Sequence, residues 1–149
     1  MRRHLLLVLV GAVASLNASA LLAQEDEPET RVITVATFHV PFGEAFGAAL
    51  DFIDTYFVPP ANENPHVLGF RYATHAWGNT AANVWMMTEY ASLAHIDEAQ
   101  EWGNAWFEEH FPEGTPEREE ADRAFEEDFA PYLSKHKDNI LNVSMDRAK

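Results

Sequence analysis

The sequence predicts an α+β domain in which an antiparallel sheet carries helices on one face. Three observations predict it. Residues 31–40 (RVITVATFHV) are β-branched and aromatic, the composition of a strand. Residues 66–77 (HVLGFRYATHAW) and 81–90 (AANVWMMTEY) flank Gly78-Asn79, which tolerates positive φ, and read as the two arms of a hairpin. Between and after these strands the apolar residues change to helical spacing.

The N-terminus reads as an address. Met1-Arg2-Arg3-His4 is basic, residues 5–13 are apolar, and Ala18-Ser19-Ala20 and Leu21-Leu22-Ala23 supply small or apolar residues before a cut. That order predicts a secretory signal peptide over residues 1–23, cleaved after Ala23. The apolar segment falls short of the ~20 residues of a spanning helix, and Asn17 interrupts it. Residues 24–30 are rich in Glu, Asp and Pro and read as a disordered acidic leader. Residues 31–149 form a single α+β domain, a fitting size for one core. The expected location is periplasmic or secreted, in a bacterium, with no stable membrane insertion after cleavage.

Both alternating sets of the first strand are apolar. Val32, Ala36, Phe38 and Val40 share one side, and Ile33 and Val35 the other, as in a central strand covered on two faces. Phe46, Ala49, Leu50, Ile53 and Phe57 then recur at helical spacing, and Pro59-Pro60 is expected to stop that helix. In the hairpin, facing Ala76 with Ala81 pairs Tyr72 with Trp85 and Phe70 with Met87 on the face that meets the helices. Arg71, His75, Val84, Met86 and Thr88 take the other face. Ser92 is the expected cap of the next helix, whose apolar stripe is Ile96, Ala99, Trp102, Trp106 and Phe107. Thr115-Pro116 starts another helix, with Thr as N-cap and Pro in the first turn. Its Ala121, Phe125, Phe129 and Leu133 face inward. Residues 139–145 (NILNVSM) make the last strand.

Composition removes several function classes. The 149 residues carry 24 Asp and Glu against 10 Lys and Arg, a net charge of −14. Such a surface repels nucleic-acid phosphates and anionic lipid. With no cysteine, disulfides, thiolate-bound zinc and thiol catalysis are excluded.

The element order is β-α-β-β-α-β, the split β-α-β of ferredoxin-like domains, with an additional C-terminal helix. The layout resembles the dimeric α+β barrel superfamily. The resemblance rests on the strand RVITVATFHV, the hairpin HVLGFRYATHAWGNTAANVWMMTEY, and the strand-to-helix step TEYASLAHIDEAQEW, and covers roughly residues 31–145. It implies a homodimer with a pocket between sheet and helices. Members of that superfamily include cofactor-free monooxygenases, haem-degrading monooxygenases and muconolactone-type isomerases, so the layout selects no chemistry. Helix 115–137 exceeds the minimal pattern and is placed to narrow or cap the pocket.

Six histidines follow the leader. None forms an i, i+4 helical pair, and the side chains of Glu108-Glu109-His110 splay round their helix, so neither a metal site nor a cofactor is expected. His39 ends the first strand, and Arg71 and His75 lie four apart on the second. Together they suit a general base (His75 or His39) with an electrostatic stabiliser (Arg71). Glu89 is a counter-charge on the opposite face in this register. Tyr72 and Trp85 are expected to line an aromatic pocket. In haem-degrading relatives the second helix carries a Trp and a His. Trp102 and His110 lie eight apart on that helix here, while the relatives' first-strand asparagine is missing and His39 is its nearest stand-in. The expected function is binding of a small apolar or aromatic molecule. The alternatives are a cofactor-free monooxygenase or isomerase acting on a small aromatic or carbonyl substrate, and a haem-handling protein.

Overall fold

A computed structural model describes residues 30–75 and 82–144. The expected signal peptide, most of the acidic leader and the turn at Gly78-Asn79 lie outside the described residues.

Four strands form one antiparallel sheet: β1 (Thr30–Phe38), β2 (Gly69–Thr74), β3 (Val84–Tyr90) and β4 (Lys137–Ser144), in the order β2-β3-β1-β4. Helix α1 (Glu44–Phe52) runs through a π-helical turn (Ile53–Phe57) into α2 (Val58–Glu63). Helix α3 (Ala94–His110) follows β3. Helix α4 (Pro116–Ala124) passes through a second π turn (Phe125–Phe129) and a 3-10 segment (Ala130–Lys135) before β4. This is the ferredoxin-like α+β arrangement that the element order predicts.

The core lies between the inner sheet face and the helices. Phe38, Val40, Ala49, Phe52, Ile53, Val84, Phe125 and Phe129 are buried together. Phe129 meets the rings of Phe38, Phe52 and Phe57 at 5.2, 5.2 and 5.4 Å. The expected inward set of the last helix holds, since Ala121, Phe125 and Phe129 are buried and Leu133 packs against the core. Thr115 is the N-cap, accepting from the Arg118 N–H at 3.2 Å. Arg118 is buried at the α3–α4 corner. It donates to Glu108 (3.1 Å), Asp122 (3.0 Å) and the Phe111 carbonyl (3.1 Å), and its guanidinium lies over the Phe107 ring. Burial opposes its charge, and the two carboxylates more than offset that. Gly114 turns this corner at φ 82°, a region that favours glycine.

Pro59-Pro60 does not stop the helix. The two prolines occupy the first turn of α2, where a missing N–H loses no intrahelical bond, and the preceding π turn resets the backbone for them. Strand β1 ends earlier than expected. Beyond Phe38, the side chain of buried Asn83 takes over the pairing: its Oδ1 accepts from Val40 N at 2.8 Å and its Nδ2 donates to Val40 O at 2.6 Å. Strand β2 starts later than expected, because Asn64 ties the preceding loop to α3 by donating to the Ala99 carbonyl at 2.9 Å. Ser92 is not the cap of α3, whose N-cap position is Leu93. Its hydroxyl instead meets His95 Nδ1 at 2.8 Å.

The hairpin register differs from expectation by one residue. Tyr72 pairs with Met86 and Phe70 with Thr88, while Trp85 faces Ala73 and Met87 faces Arg71. The assignment of β2 holds, with Phe70 and Tyr72 packed on the helix side. That of β3 inverts, so Val84, Met86 and Thr88 point to the helices. Glu89 therefore shares a face with Arg71, and the two lie 3.7 Å apart. Both alternating sets of VWMMTEY contain apolar residues, so the pattern alone does not fix the face.

Candidate functional site

The inner face leaves space under the helices. A cavity of about 520 Å3 lies between sheet and helices. Its floor is Thr34, Ala36 and Phe38 of β1, Met86, Thr88 and Tyr90 of β3, and Phe70 of β2. Phe52, Tyr56, Phe57, Pro60 and Ala61 form one wall, and Ile96, Ala99, Gln100, Gly103, Asn104 and Phe107 of α3 another. The additional C-terminal segment closes the rest with Phe125, Ala130, Leu133 and His136, beside Asp138 of β4. That segment does cap the pocket.

The space exists because small residues stand where bulk would fill it. Ala99 and Gly103 are one helical turn apart on the same face of α3, and Ala36 sits mid-floor. A glycine inside a helix costs about 1 kcal/mol relative to alanine, so Gly103 gives up helix stability for room.

Amides of Asn64, Gln100 and Asn104 lie on the helix side, and two further polar groups mark the sheet side. Tyr90 places its phenol beside the hydroxyls of Thr34 and Thr88. Further along, His136 Nε2 meets Asp138 Oδ2 at 2.8 Å, His136 Nδ1 bonds the Leu133 carbonyl, and the imidazole stacks on Phe38. From Thr34 to Phe38 the strand advances about 13 Å at ~3.3 Å per residue. An apolar molecule held between these places would find hydroxyls at one end and imidazole at the other.

Burial pushes the Tyr90 phenol above the ordinary value of about 10, although the hydroxyls of Thr34 and Thr88 act the other way. Tyr72 is raised by its hydrogen bond to Asp54 and by burial, and Tyr56 by burial and Glu120. In each case the fold favours the neutral phenol. Their contribution is complete below pH ~10 and is lost as pH rises through the folded values. Urea midpoints are expected to fall along that alkaline limb, less steeply in Tyr90→Phe. An identical limb in the variant would remove Tyr90 from the account.

The residues singled out from the sequence lie elsewhere. His39 is exposed just beyond β1. Arg71, Trp85 and Glu89 share the outer sheet face. Glu89 bridges Arg31 (2.7 Å) and Arg71 (3.7 Å), and His75 meets the Trp85 ring edge-on at 5.7 Å. Tyr72 is on the inner face but turns its hydroxyl to Asp54. Trp102 is half-buried on α3, and His110 stacks on Trp106 at 3.8 Å at the end of that helix. None of these eight lines the cavity. Two other aromatics that the sequence offers for such a pocket, Tyr90 and Phe107, do line it, whereas His136 and Asp138 were not expected there. The i, i+2 spacing of His136 and Asp138 across a helix-to-strand junction was the available signal.

Fold and cavity together define a ferredoxin-like α+β domain with an apolar pocket between sheet and helices. No family model and no curated protein matches the chain in sequence. Solved structures do resemble it. An uncharacterised NIPSNAP-like domain protein from Burkholderia xenovorans is 10% identical with TM-score 0.52, covering 83% of this chain and 91% of that one. A NIPSNAP family protein of unknown function from Agrobacterium tumefaciens is 11% identical with TM-score 0.52, covering 81% and 95%. A dimeric ferredoxin-like protein of unknown function from Jannaschia sp. CCS1 is 11% identical with TM-score 0.49, covering 76% and 99%. At such identities the likeness is one of fold. Among the described residues no helix is long and apolar enough to cross a membrane.

Proposed function

We propose that this protein binds a small apolar or aromatic molecule in the cavity between sheet and helices, as a homodimer joined through the outer sheet face. The cavity carries the first part. About 520 Å3 falls within the range of ligand pockets, and its wall is aromatic and aliphatic with a few placed polar groups. The helices leave the other sheet face bare, and Ile33, Val35, Ala73, Trp85, Met87 and Leu141 on it are not buried in one chain. Export rests on the pattern of residues 1–23, and N-terminal sequencing of exported material, expected to begin at Gln24, checks it.

Both ring nitrogens of His136 are already engaged, by Leu133 and Asp138. The imidazole therefore serves as a fixed polar wall for a ligand, with neither nitrogen left for a substrate proton.

The neutral fluorophore N-phenyl-1-naphthylamine tests the binding reading. Saturable binding of one molecule per chain is expected. Thr88→Phe places a ring, a good strand former, on the cavity floor. It should weaken binding at least about tenfold, or ~1.4 kcal/mol. No saturation in the wild type, or equal affinity in a folded Thr88→Phe variant, would overturn the reading.

A further inference from the structure

Outside the cavity, the fold brings His66 beside a histidine and a carboxylate that share one turn of α3. His66 comes from the loop between α2 and β2, and His95 and Glu98 from the first turns of α3. One ligand atom from each lies within 4.8 Å of the other two. His66 Nδ1 is 3.1 Å from Glu98 Oε2, and His95 Nε2 is 4.0 Å from the same oxygen. From this geometry we propose a divalent transition-metal site of the zinc type, with His66, His95 and Glu98 as ligands.

Three features support it. Two imidazoles and a carboxylate are a donor set for zinc and its neighbours, whereas Mg2+ and Ca2+ select oxygen. The set is also oriented. His95 Nδ1 is held by the Ser92 hydroxyl at 2.8 Å, and when that nitrogen donates, Nε2 presents its lone pair towards the carboxylate. With His66 Nδ1 3.1 Å from the same carboxylate, a cation between these atoms would meet two imidazole nitrogens and a negative oxygen. Finally, the loop carrying His66 is fixed before any metal arrives. Buried Asn64 donates to the Ala99 carbonyl at 2.9 Å and accepts the His66 N–H at 3.0 Å, so both halves of the site are tied together. Ligand atoms already within 4.8 Å of one another have little more than 1 Å to close to reach the ~3.4 Å separation of tetrahedral zinc.

Three protein ligands leave a coordination position for water. His66 and His95 directly precede Val67 and Ile96, which line the cavity, so a bound ion clasps the α2–β2 loop to α3 where both form its wall. The sequence held half of the signal. His95 and Glu98 stand at i, i+3 on one helix, but a search for histidine pairs at i, i+4 passes over them, and only the fold brings His66 to the site.

Isothermal titration of the tag-free chain with ZnCl2, with MgCl2 as control, tests the site, and Co2+ supplies an independent readout through its visible absorption. One Zn2+ per chain is expected, with no response to Mg2+. His66→Ala and Glu98→Gln should each weaken Zn2+ at least about tenfold and abolish the Co2+ spectrum, and Ser92→Ala should weaken it by roughly tenfold. Glu98 is half exposed on its helix, so Glu98→Gln should fold normally, which near-ultraviolet circular dichroism verifies. No stoichiometric zinc uptake by the wild type would overturn the site. So would uptake unchanged in His66→Ala and Glu98→Gln, which would reduce the cluster to a set of ion pairs.

Discussion

Phe129→Ala is expected to destabilise the fold by about 3–5 kcal/mol, the usual cost of deleting a buried phenylalanine ring. The upper end applies here. Phe129 is 1% exposed, and its three ring neighbours belong to three separate places: Phe38 to the end of β1, Phe52 to the end of α1 and Phe57 to the π turn. None of them can move into the gap without shifting its own element. The vacated volume would also adjoin the cavity, because all three rings line it, so no solid layer remains behind them to collapse. A domain of this size has about 5–15 kcal/mol in total, so the variant should be partly unfolded near physiological temperature. Urea unfolding with an unchanged slope and a lower midpoint is the measurement. Leu133→Ala, at a half-buried position on the same segment, should cost less. A loss below about 1 kcal/mol in Phe129→Ala would mean that the aromatic cluster does not organise the core.

That cluster was legible in the sequence. Phe125 and Phe129 follow a capped Thr115-Pro116 start at helical spacing, and each local signal there agrees with the final packing. Pro59-Pro60 misled because proline breaks a helix only where an N–H is needed, and a π turn removed that need one residue earlier. The register of β3 was illegible because Trp85 and Met87 are as apolar as Val84 and Met86, and nothing local chooses between the faces. The candidate site was less legible still. A pocket is made by absent bulk, and Ala36, Ala99 and Gly103 carry no chemical signature. Histidines were read by their strand positions, which pointed to His39 and His75. Those that meet carboxylates in the fold, His66, His95 and His136, do so at a loop, a helix start and a helix-to-strand junction.

Val35→Lys is expected to convert the proposed dimer into folded monomers. Val35 is on β1, an inner strand of the sheet, between Met87 of β3 and Asn139 of β4 on the bare face. In a two-fold symmetric dimer every substitution enters the interface twice. A lysine at the centre of an apolar patch must leave its ammonium desolvated or push the surfaces apart. A central contact of this kind is worth about 2 kcal/mol per copy. Two copies give ~4 kcal/mol, or roughly a thousandfold in the dimer dissociation constant. Because Val35 lies on the side of the sheet away from the core, the isolated chain should keep its secondary structure, and its urea midpoint should fall only by what dimerisation contributes and no longer depend on protein concentration. Light scattering at micromolar concentration should therefore report a dimer for the wild type and a monomer for the variant. The net charge of −14 adds a second signature. Two such chains repel, and salt screens that repulsion within about 10 Å at 0.1 M, so the wild-type dimer should tighten as salt is raised. A dimer held instead by ion pairs through Arg31, Arg71 and Glu89 would loosen. Salt thus distinguishes an apolar joint from an ionic one on the same face, and a wild type that is monomeric at micromolar concentration would exclude both.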